Sequence, residues 1–420
     1  MQLNNFKIMN VLRNLFAVNT NYGKDTQIDQ AKGLNRTAIH SLEPANVIMY
    51  LVTTLLVIGI IIIYSTSSVK AAEDVNPMNI TFLKHVAWVI IAITSMLIMM
   101  RIDYHYLQKY SMLIFIVALA GLVVVLIPKV GTVSYGARRW IRFGSYFGYQ
   151  PSEFAKLAMI IFMSGYIAKN REKMATFAKG FVVPIILIGI VSLLILKEPD
   201  FGTSMFITTV SFILIMGGGT RIIYVIFTII ASIPHVYQIM HKLPAYQHNR
   251  LLAFLDPWKD PMGIGYQIIQ SWISLGSGGI TGLGLGESRQ KLFFLPMGDN
   301  DFVFSIIGEE FGFIGTTCII VMFALFAWQG IRVCKAAPDV FGFFLALGIT
   351  VSIALQAAIN IAVVTGSIPT KGLPLPFIST GGSSILLSLL GVGILLNIAK
   401  QSENADDSAC HVADNRSFVT

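Results

Sequence analysis

Apolar runs long enough to cross a lipid bilayer recur along most of this 420-residue chain. Examples are residues 47–64, 112–127 and 181–196, and a membrane-spanning helix needs about 20 predominantly apolar residues. Only 12% of the residues are charged, whereas roughly a quarter are charged in soluble domains. The sequence therefore predicts an all-α polytopic membrane protein with about ten transmembrane helices.

The expected helices lie near 47–68, 82–100, 110–128, 151–168, 180–196, 201–217, 221–240, 302–328, 341–364 and 377–399. An even number of helices places both termini on one side of the membrane. Most short turns on that side carry Lys or Arg, which favours the cytoplasm for both termini. Residues 1–46 form a polar tail that we expect to be disordered, residues 47–400 form the transmembrane domain, and residues 401–420 form a C-terminal cytoplasmic tail.

The longest connection, residues 241–301, is predicted to be extracytoplasmic, between the seventh and eighth helices. It alternates apolar stretches with glycine clusters, which favours re-entrant or interfacial helices joined by irregular backbone, with flexible linkage as the alternative. The outer side also carries basic residues that outer loops usually avoid, so we expect an anionic ligand at the cluster from Arg138 to Arg142, with a solvated surface as the alternative. The basic residues of the outer side are Lys129, Arg138, Arg139, Arg142, Arg250, Lys259, Arg289 and Lys291. We expect no nucleic-acid partner.

The segment DNDFVFSIIGEEFG places carboxylates at the start of an apolar helix and two turns inside it. Asp301 could cap that helix, since an aspartate there accepts amide hydrogen bonds and complements the helix dipole. Alternatively, it could serve as a general base or as a cation ligand. We expect at least one of Glu309 and Glu310 to pair with basic residues of neighbouring helices.

The segment GARRWIRFGSYFGYQPSEFAKLA is a basic, aromatic loop that leads into a helix started by Pro151. Arginine suits bidentate phosphate binding, and lysine supplies a point charge for the same purpose. Glu153 and Lys156 are three residues apart, so they could also neutralise each other.

Two further turns are rich in glycine, proline or hydroxyl side chains. In KEPDFGTS, we expect Asp200 to cap the following helix, with a functional role as the alternative. PTKGLPLPFISTGGSS must be irregular, and it either lines a polar cavity or forms a packed turn whose glycines let helices approach. Its candidate cavity residues are Lys371, Ser379, Thr380, Ser383 and Ser384.

These segments, in this order, resemble the FtsW/RodA family of SEDS proteins over about residues 47–400. The matching pieces are RRWIRFG with QPSEFAK, EPDFGTS, FLDPWKDPMGIGYQIIQSWISLGSGGITGLGLGESRQKLFFLP, DFVFSIIGEEFG and PLPFISTGGSS. The PTKGLPLPF segment is more similar to the division branch, FtsW, than to the elongation branch, RodA. The chain departs from the usual family residues at Glu198, Asp299, Asn300 and Thr380.

The resemblance implies a ten-helix SEDS fold and a peptidoglycan glycosyltransferase acting on lipid II, a disaccharide-pentapeptide carried on undecaprenyl pyrophosphate. It also implies a class B penicillin-binding protein and divisome proteins as partners, and a location in the cell membrane at the division septum. A lipid II flippase, a RodA-type elongation polymerase and a non-catalytic division scaffold are the alternatives.

The family's essential carboxylate maps onto Asp301, which becomes the candidate catalytic residue. It would act directly or through a divalent cation, Mg²⁺ or Mn²⁺. The candidate substrate-binding residues are Arg138, Arg139, Glu153, Lys156, Arg250, Arg289, Lys291, Lys371, Ser379 and Ser383.

Overall fold

The computed structural model of the protein describes residues 43–73, 80–134, 137–143, 147–224, 226–228, 252–291, 294–296 and 298–417. The tail 1–42, the core of the expected helix at 221–240, and Arg250 lie outside these ranges. The α-helices of the described residues are α1 Pro44–Glu73, α2 Ile80–Met99, α3 His105–Lys109, α4 Ser111–Leu126, α5 Pro151–Lys169, α6 Val183–Lys197, α7 Phe201–Gly217, α8 Tyr266–Ser277, α9 Val303–Ala336, α10 Val340–Val364 and α11 Gly382–Ser417. Short 3-10 turns lie at Arg171–Lys173 and Pro257–Lys259, and a π-helical turn lies at Ala178–Val182.

Six of the described helices are long and apolar enough to cross a membrane: Pro44–Ser67, Phe82–Met99, Ala178–Lys197, Val303–Ala336, Val340–Val364 and Gly382–Glu403. Helices α4 and α7 are apolar but shorter, and α5 carries Glu153 and Lys156 near its start and Lys169 at its end. The polytopic helical fold is thus confirmed, whereas the count of ten spans and the side of each terminus stay predictions.

Helices α5, α10 and α11 form the centre of the described bundle. Helix α5 is buried on nearly every face, α10 packs against both α5 and α9, and α11 packs against α2. Helix α11 begins at Gly382, five residues after the expected start, and continues to Ser417. Buried central helices bring their polar side chains into contact with other helices instead of lipid, so the polar groups of this bundle concentrate there.

The basic segment before α5 is a small antiparallel sheet, where the sequence predicted a loop in an all-α chain. Its strands are β1 Gly131–Ser134, β2 Ala137–Phe143 and β3 Phe147–Tyr149, in the order β1-β2-β3. Strand β2 reads ARRWIRF, in which bulky and β-branched residues favour extended backbone despite the three arginines. The sheet gives Arg138 and Arg139 fixed positions.

Helix α9 is broken at Gly312, which has φ 66° and ψ −160°. The glycine-rich chain after α8 fills the break. The N–H of Phe313 donates to Gly279 O at 2.9 Å, and the N–H of Leu283 donates to Glu309 O at 2.9 Å. Buried backbone must find hydrogen-bond partners, and here the loop supplies them. The irregular, protein-covered backbone expected for this segment is therefore present.

Candidate active site

Asp301 lies in the turn that precedes α9, and its side chain is half-buried. The N-cap residue of α9 is Phe302, and that cap has no side-chain hydrogen bond. The N-cap expected at Asp301 thus lies one residue later in the structure. The Asp301 Oδ1 accepts a hydrogen bond from Asn300 Nδ2 at 3.0 Å. The other carboxylate oxygen faces Gly372, where a Cβ atom would lie only 3.2 Å from it.

The backbone of this turn is held by polar side chains of α10 and of residues 368–381, the irregular segment before α11. Asn360 Nδ2 donates to Asp301 O at 2.8 Å and to Leu373 O at 2.9 Å. Ser379 Oγ donates to Asn300 O at 2.6 Å, and Thr380 Oγ1 donates to Asp299 O at 3.1 Å. Fixed surroundings of this kind hold a catalytic carboxylate in place without further reorganisation.

The turn between α6 and α7 brings a second carboxylate and an arginine together. Asp200 caps α7 as expected, since its Oδ1 accepts the Thr203 N–H at 3.1 Å and its Oδ2 accepts the Thr203 hydroxyl at 3.0 Å. Arg139 of β2 donates from Nε to Glu198 O at 3.1 Å, and its Nη1 lies 3.8 Å from Asp200 Oδ2. The motifs EPDFGTS and RRWIRFG therefore meet, although 59 residues separate Arg139 from Glu198.

Lys371 connects these two groups of residues. A Cβ atom on Gly202, in the first turn of α7, would lie 3.6 Å from the Lys371 Cβ. The next residue, Gly372, contacts Asp301 as described above. Burial lowers the pKa of Lys371, because removing its ammonium group from water disfavours the charged form. The backbone at Lys371 thus lies between the Asp301 turn and the first turn of α7, while its ammonium group lies 3.0 Å from Met205 Sδ in α7.

Glu153 and Lys156 form a buried ion pair, with Nζ and Oε1 2.8 Å apart. Lys156 Nζ also donates to Gln356 Oε1 at 2.9 Å, and Gln356 Nε2 donates to Pro374 O at 2.8 Å. The neutralising pair predicted from the spacing is confirmed. A cavity of about 30 Å³ adjoins it between α5, α10 and α11. The pair therefore supports the same irregular segment that holds Asp301.

The other two predicted carboxylates belong to a separate cluster at the break in α9. Glu309 accepts hydrogen bonds from the side chains or N–H groups of Ser274, Ser288, Arg289 and Gln290. Glu310 pairs with Lys291 at 3.3 Å, which confirms a basic partner but places that partner in the loop instead of on a helix. Nine residues separate Asp301 from Glu310, a rise of roughly 13 Å along a helix. Lys291 is therefore committed to a structural pair.

The remaining predicted residues are more scattered. Arg138 turns back to donate from Nη1 to Leu126 O at 3.2 Å, at the end of α4. The side chain of Arg289 is exposed, and Ser383 is buried in the first turn of α11. Arg250 lies outside the described residues. Their roles in binding substrate stay predictions.

Sequence reasoning missed two buried amides of α10, Gln356 and Asn360. They lie four residues apart, which places them on one face of the helix, and both donate to carbonyls of the segment before α11. Two amides at that spacing in the apolar run SIALQAAINIAVV were the available signal. Among the described residues, no group of three or more His, Cys, Asp or Glu side chains is placed to hold a metal ion.

Comparison with known proteins shows the family of this chain. A profile described as cell cycle protein, FTSW_RODA_SPOVE, matches residues 45–404. A probable peptidoglycan glycosyltransferase FtsW from Trichlorobacter lovleyi is 44% identical over 354 residues, covering 84% of this chain and 92% of the relative. Stage V sporulation protein E from Bacillus subtilis is 40% identical over 359 residues, covering 86% and 98%.

A solved structure, described as structural coordination of polymerization and crosslinking by a peptidoglycan synthase complex, has the same fold. Its TM-score is 0.69 at 24% identity, and the match covers 84% of this chain and 97% of that one. The SEDS fold expected from the sequence motifs is therefore confirmed.

Proposed function

Because this chain belongs to the FtsW/RodA/SpoVE family, we propose that it is a peptidoglycan glycosyltransferase that polymerises lipid II, with Asp301 as the general base. The relatives named above support the activity. The observation that carries the assignment of Asp301 is its setting. Its half-buried carboxylate sits on a turn held by Asn360 and Ser379, and it faces Gly372, the residue that follows Lys371.

The reaction needs a base and a site for a departing anion. The 4-hydroxyl oxygen of the acceptor sugar attacks C1 of the donor sugar, and the bond from C1 to the pyrophosphate oxygen breaks. Asp301 takes the proton of the attacking hydroxyl, and undecaprenyl pyrophosphate leaves with the electron pair of the broken bond. The anomeric centre is inverted. No nucleotide is needed, because the donor carries its own leaving group.

Arg139 and Lys371 are the best placed of the candidate cations to receive the pyrophosphate. Lys156 and Lys291 each already hold a buried carboxylate, whereas Arg139 donates to two backbone carbonyls and approaches a carboxylate, that of Asp200, only at 3.8 Å. Arginine offers several N–H groups in one plane, which matches phosphate geometry, and Lys371 adds a second charge. Both act where negative charge develops on the leaving group.

A divalent cation is compatible with this arrangement. Mg²⁺ commonly binds one or two carboxylates together with substrate phosphates, so Asp301 and the pyrophosphate oxygens supply suitable ligands. Such a cation would add positive charge at the leaving group.

The proposal extends to partner and location. The related synthase complex coordinates polymerization and crosslinking, which supports a class B penicillin-binding protein as the partner of this chain. The FtsW names of the relatives support a role at the division septum together with divisome proteins. The multi-pass membrane location follows from the apolar helices.

The decisive experiment is polymerisation of purified lipid II in detergent, by this protein bound to its transpeptidase partner. Wild-type protein should yield glycan strands, and Asp301→Asn should yield none. The control is Asp256→Asn, which changes an exposed ion pair with Lys259 and should behave as wild type. Normal strand synthesis by intact Asp301→Asn protein would refute the assignment of the base. Lipid II transport in vesicles by a protein that never polymerises would favour the flippase.

A further inference from the structure

Glu198 is a carboxylic acid in an unusual position, at the turn that joins α6 to α7. Its residue is 0% exposed, and neither carboxyl oxygen has a hydrogen-bond partner among the described residues. A buried carboxylate without partners is costly, and most buried polar side chains have at least one hydrogen bond. The position therefore calls for an explanation other than stability.

The surroundings of Glu198 centre on Arg139. The Arg139 Nε donates to the backbone carbonyl of Glu198 at 3.1 Å, and its Nη2 donates to the carbonyl of Pro199. Asp200 lies 3.8 Å from Nη1 and is also approached by Gln150 Nε2 at 3.4 Å. Glu198 thus adjoins the arginine that we assign to the pyrophosphate, while its own carboxyl group makes no described contact with that arginine.

The charged groups around Glu198 oppose its ionisation on balance. Burial, and then the negative charge of Asp200, raise the pKa of the Glu198 carboxyl, and Arg139 offsets only part of this, so that the pKa is about 8. Lys371, from the segment before α11, packs beside Gly202 in the first turn of α7, and its ammonium group lies 3.0 Å from Met205 Sδ. Near neutral pH, Glu198 is therefore an uncharged acid beside a charged arginine.

Resting on the function proposed above, we propose that Glu198 is a positioning residue whose neutral form leaves Arg139 available to the donor pyrophosphate, and whose ionised form draws Arg139 away. The two carbonyl contacts, together with the longer approach of Nη1 to Asp200, leave N–H groups of Nη1 and Nη2 for another acceptor. A carboxylate formed beside them would bind the guanidinium more strongly than a neutral carbonyl does. Ionisation of Glu198 therefore weakens donor binding.

Steady-state polymerisation from pH 6.5 to 9.5 tests this inference. For the wild type, the KM for lipid II should rise about tenfold for each pH unit above the Glu198 pKa, because only the protonated fraction binds well. Glu198→Gln, which cannot ionise, should show a flat KM over the same range and a lower KM than wild type at pH 9. Glu172→Gln, a control at an exposed glutamate of the turn Arg171–Lys173, should follow the wild type.

Deprotonation of Lys371 is the alternative cause of a KM that rises at high pH, which we call the alkaline limb, since burial lowers the pKa of this lysine. A KM that rises equally in wild type and in Glu198→Gln would assign the limb to that lysine and overturn the inference. A KM that stays flat in the wild type would also overturn it.

Infrared spectroscopy provides a readout that does not depend on activity. The difference spectrum of wild type minus Glu198→Gln should contain the C=O stretch of a protonated carboxylic acid at pH 7 and lose it above pH 9. A carboxylate signal at pH 7 would contradict the inference. If no glycan forms with wild-type protein at any pH, the proposed function fails, but the infrared titration still reports the protonation of Glu198.

Discussion

The side-chain amide of Asn360 lies 2.8 Å from the backbone carbonyl of Asp301 and 2.9 Å from that of Leu373. One buried residue of α10 thus ties the turn that carries the candidate base to the irregular segment facing it. Gln356, one helical turn earlier in α10, donates a hydrogen bond to Pro374 O of the same segment. The position of Asp301 therefore depends on α10, a helix that contributes no charge to the site.

Asn360→Ala should lower both stability and the rate of polymerisation. It leaves two carbonyls without their donor, at a cost of about 1–3 kcal/mol for each group that stays buried, and it frees the Asp301 turn. We expect kcat to fall by about tenfold to a hundredfold, since small displacements of a catalytic group have effects of this size. Thermal unfolding and the glycan assay measure the two effects.

Asn397→Ala is the matched control for that change. Asn397 is also a buried amide, and it joins Met100 O to the Tyr104 N–H far along α11 from its first turn. It should show a similar loss of stability with little change in kcat. Equal losses of kcat in the two variants would mean that Asn360 has only a structural role.

Gly312→Ala should destabilise the protein more than an ordinary change in a helix. The residue has φ 66°, and a Cβ atom there would lie 2.4 Å from the backbone N of Gly282. Both the left-handed conformation and the contact between backbones exclude a side chain. We expect a loss of about 2 kcal/mol or more in the free energy of unfolding, seen as a lower Tm in detergent.

Gly189→Ala provides the comparison, because a Cβ atom on this glycine of α6 meets nothing within 4 Å. Alanine favours helix over glycine by about 1 kcal/mol, so this variant should be unchanged or slightly more stable. A destabilised Gly189→Ala protein with an unaffected Gly312→Ala protein would contradict the description of the break in α9.

The sequence predicted each motif of the site but not how the motifs meet. Helical spacing identified the pair of Glu153 and Lys156, because residues three apart share one face of a helix. It could not place Lys291 beside Glu310, since that contact depends on how a long loop packs against α9. The sheet before α5 escaped notice because three arginines and two glycine-containing turns indicated a basic, aromatic loop, whereas the bulky and β-branched residues of β2 favour extended backbone.

His105 should make stability depend on pH. Its Nδ1 lies 2.7 Å from Asp103 and its Nε2 lies 2.8 Å from Asp339, at the start of α10. Burial opposes protonation of the ring, but these two carboxylates outweigh it and raise the pKa of His105 above 6.5. The stabilisation is therefore complete below pH 6.5 and is lost as the pH rises through the higher pKa of the folded state.

The measurement is the Tm of wild type and His105→Gln between pH 5.5 and 8.5. The wild type should exceed the variant in Tm at low pH, and the difference should shrink as the pH rises. Since the imidazole is about half exposed, the effect should stay below about 1 kcal/mol. A difference that grew with pH would show that His105 is bound as the neutral ring.

Breaking the buried pair of Glu153 and Lys156 should cost more than removing it entirely. Lys156→Met leaves the Glu153 carboxylate buried without its partner, and Glu153→Gln leaves the Lys156 ammonium group buried without its partner. Each change should lower the free energy of unfolding by about 3–5 kcal/mol. The double variant removes both charges and should recover much of that loss. The corresponding cycle on the exposed pair of Lys259 and Asp256, 3.7 Å apart, should give a coupling below about 1 kcal/mol.

Because Gln356 connects Lys156 to Pro374, the polymerisation rate of the double variant also tests the pyrophosphate role predicted for Lys156. A double variant that folds stably and retains kcat and the KM for lipid II would limit Lys156 to supporting the irregular segment, whereas a raised KM at restored stability would return it to the binding site.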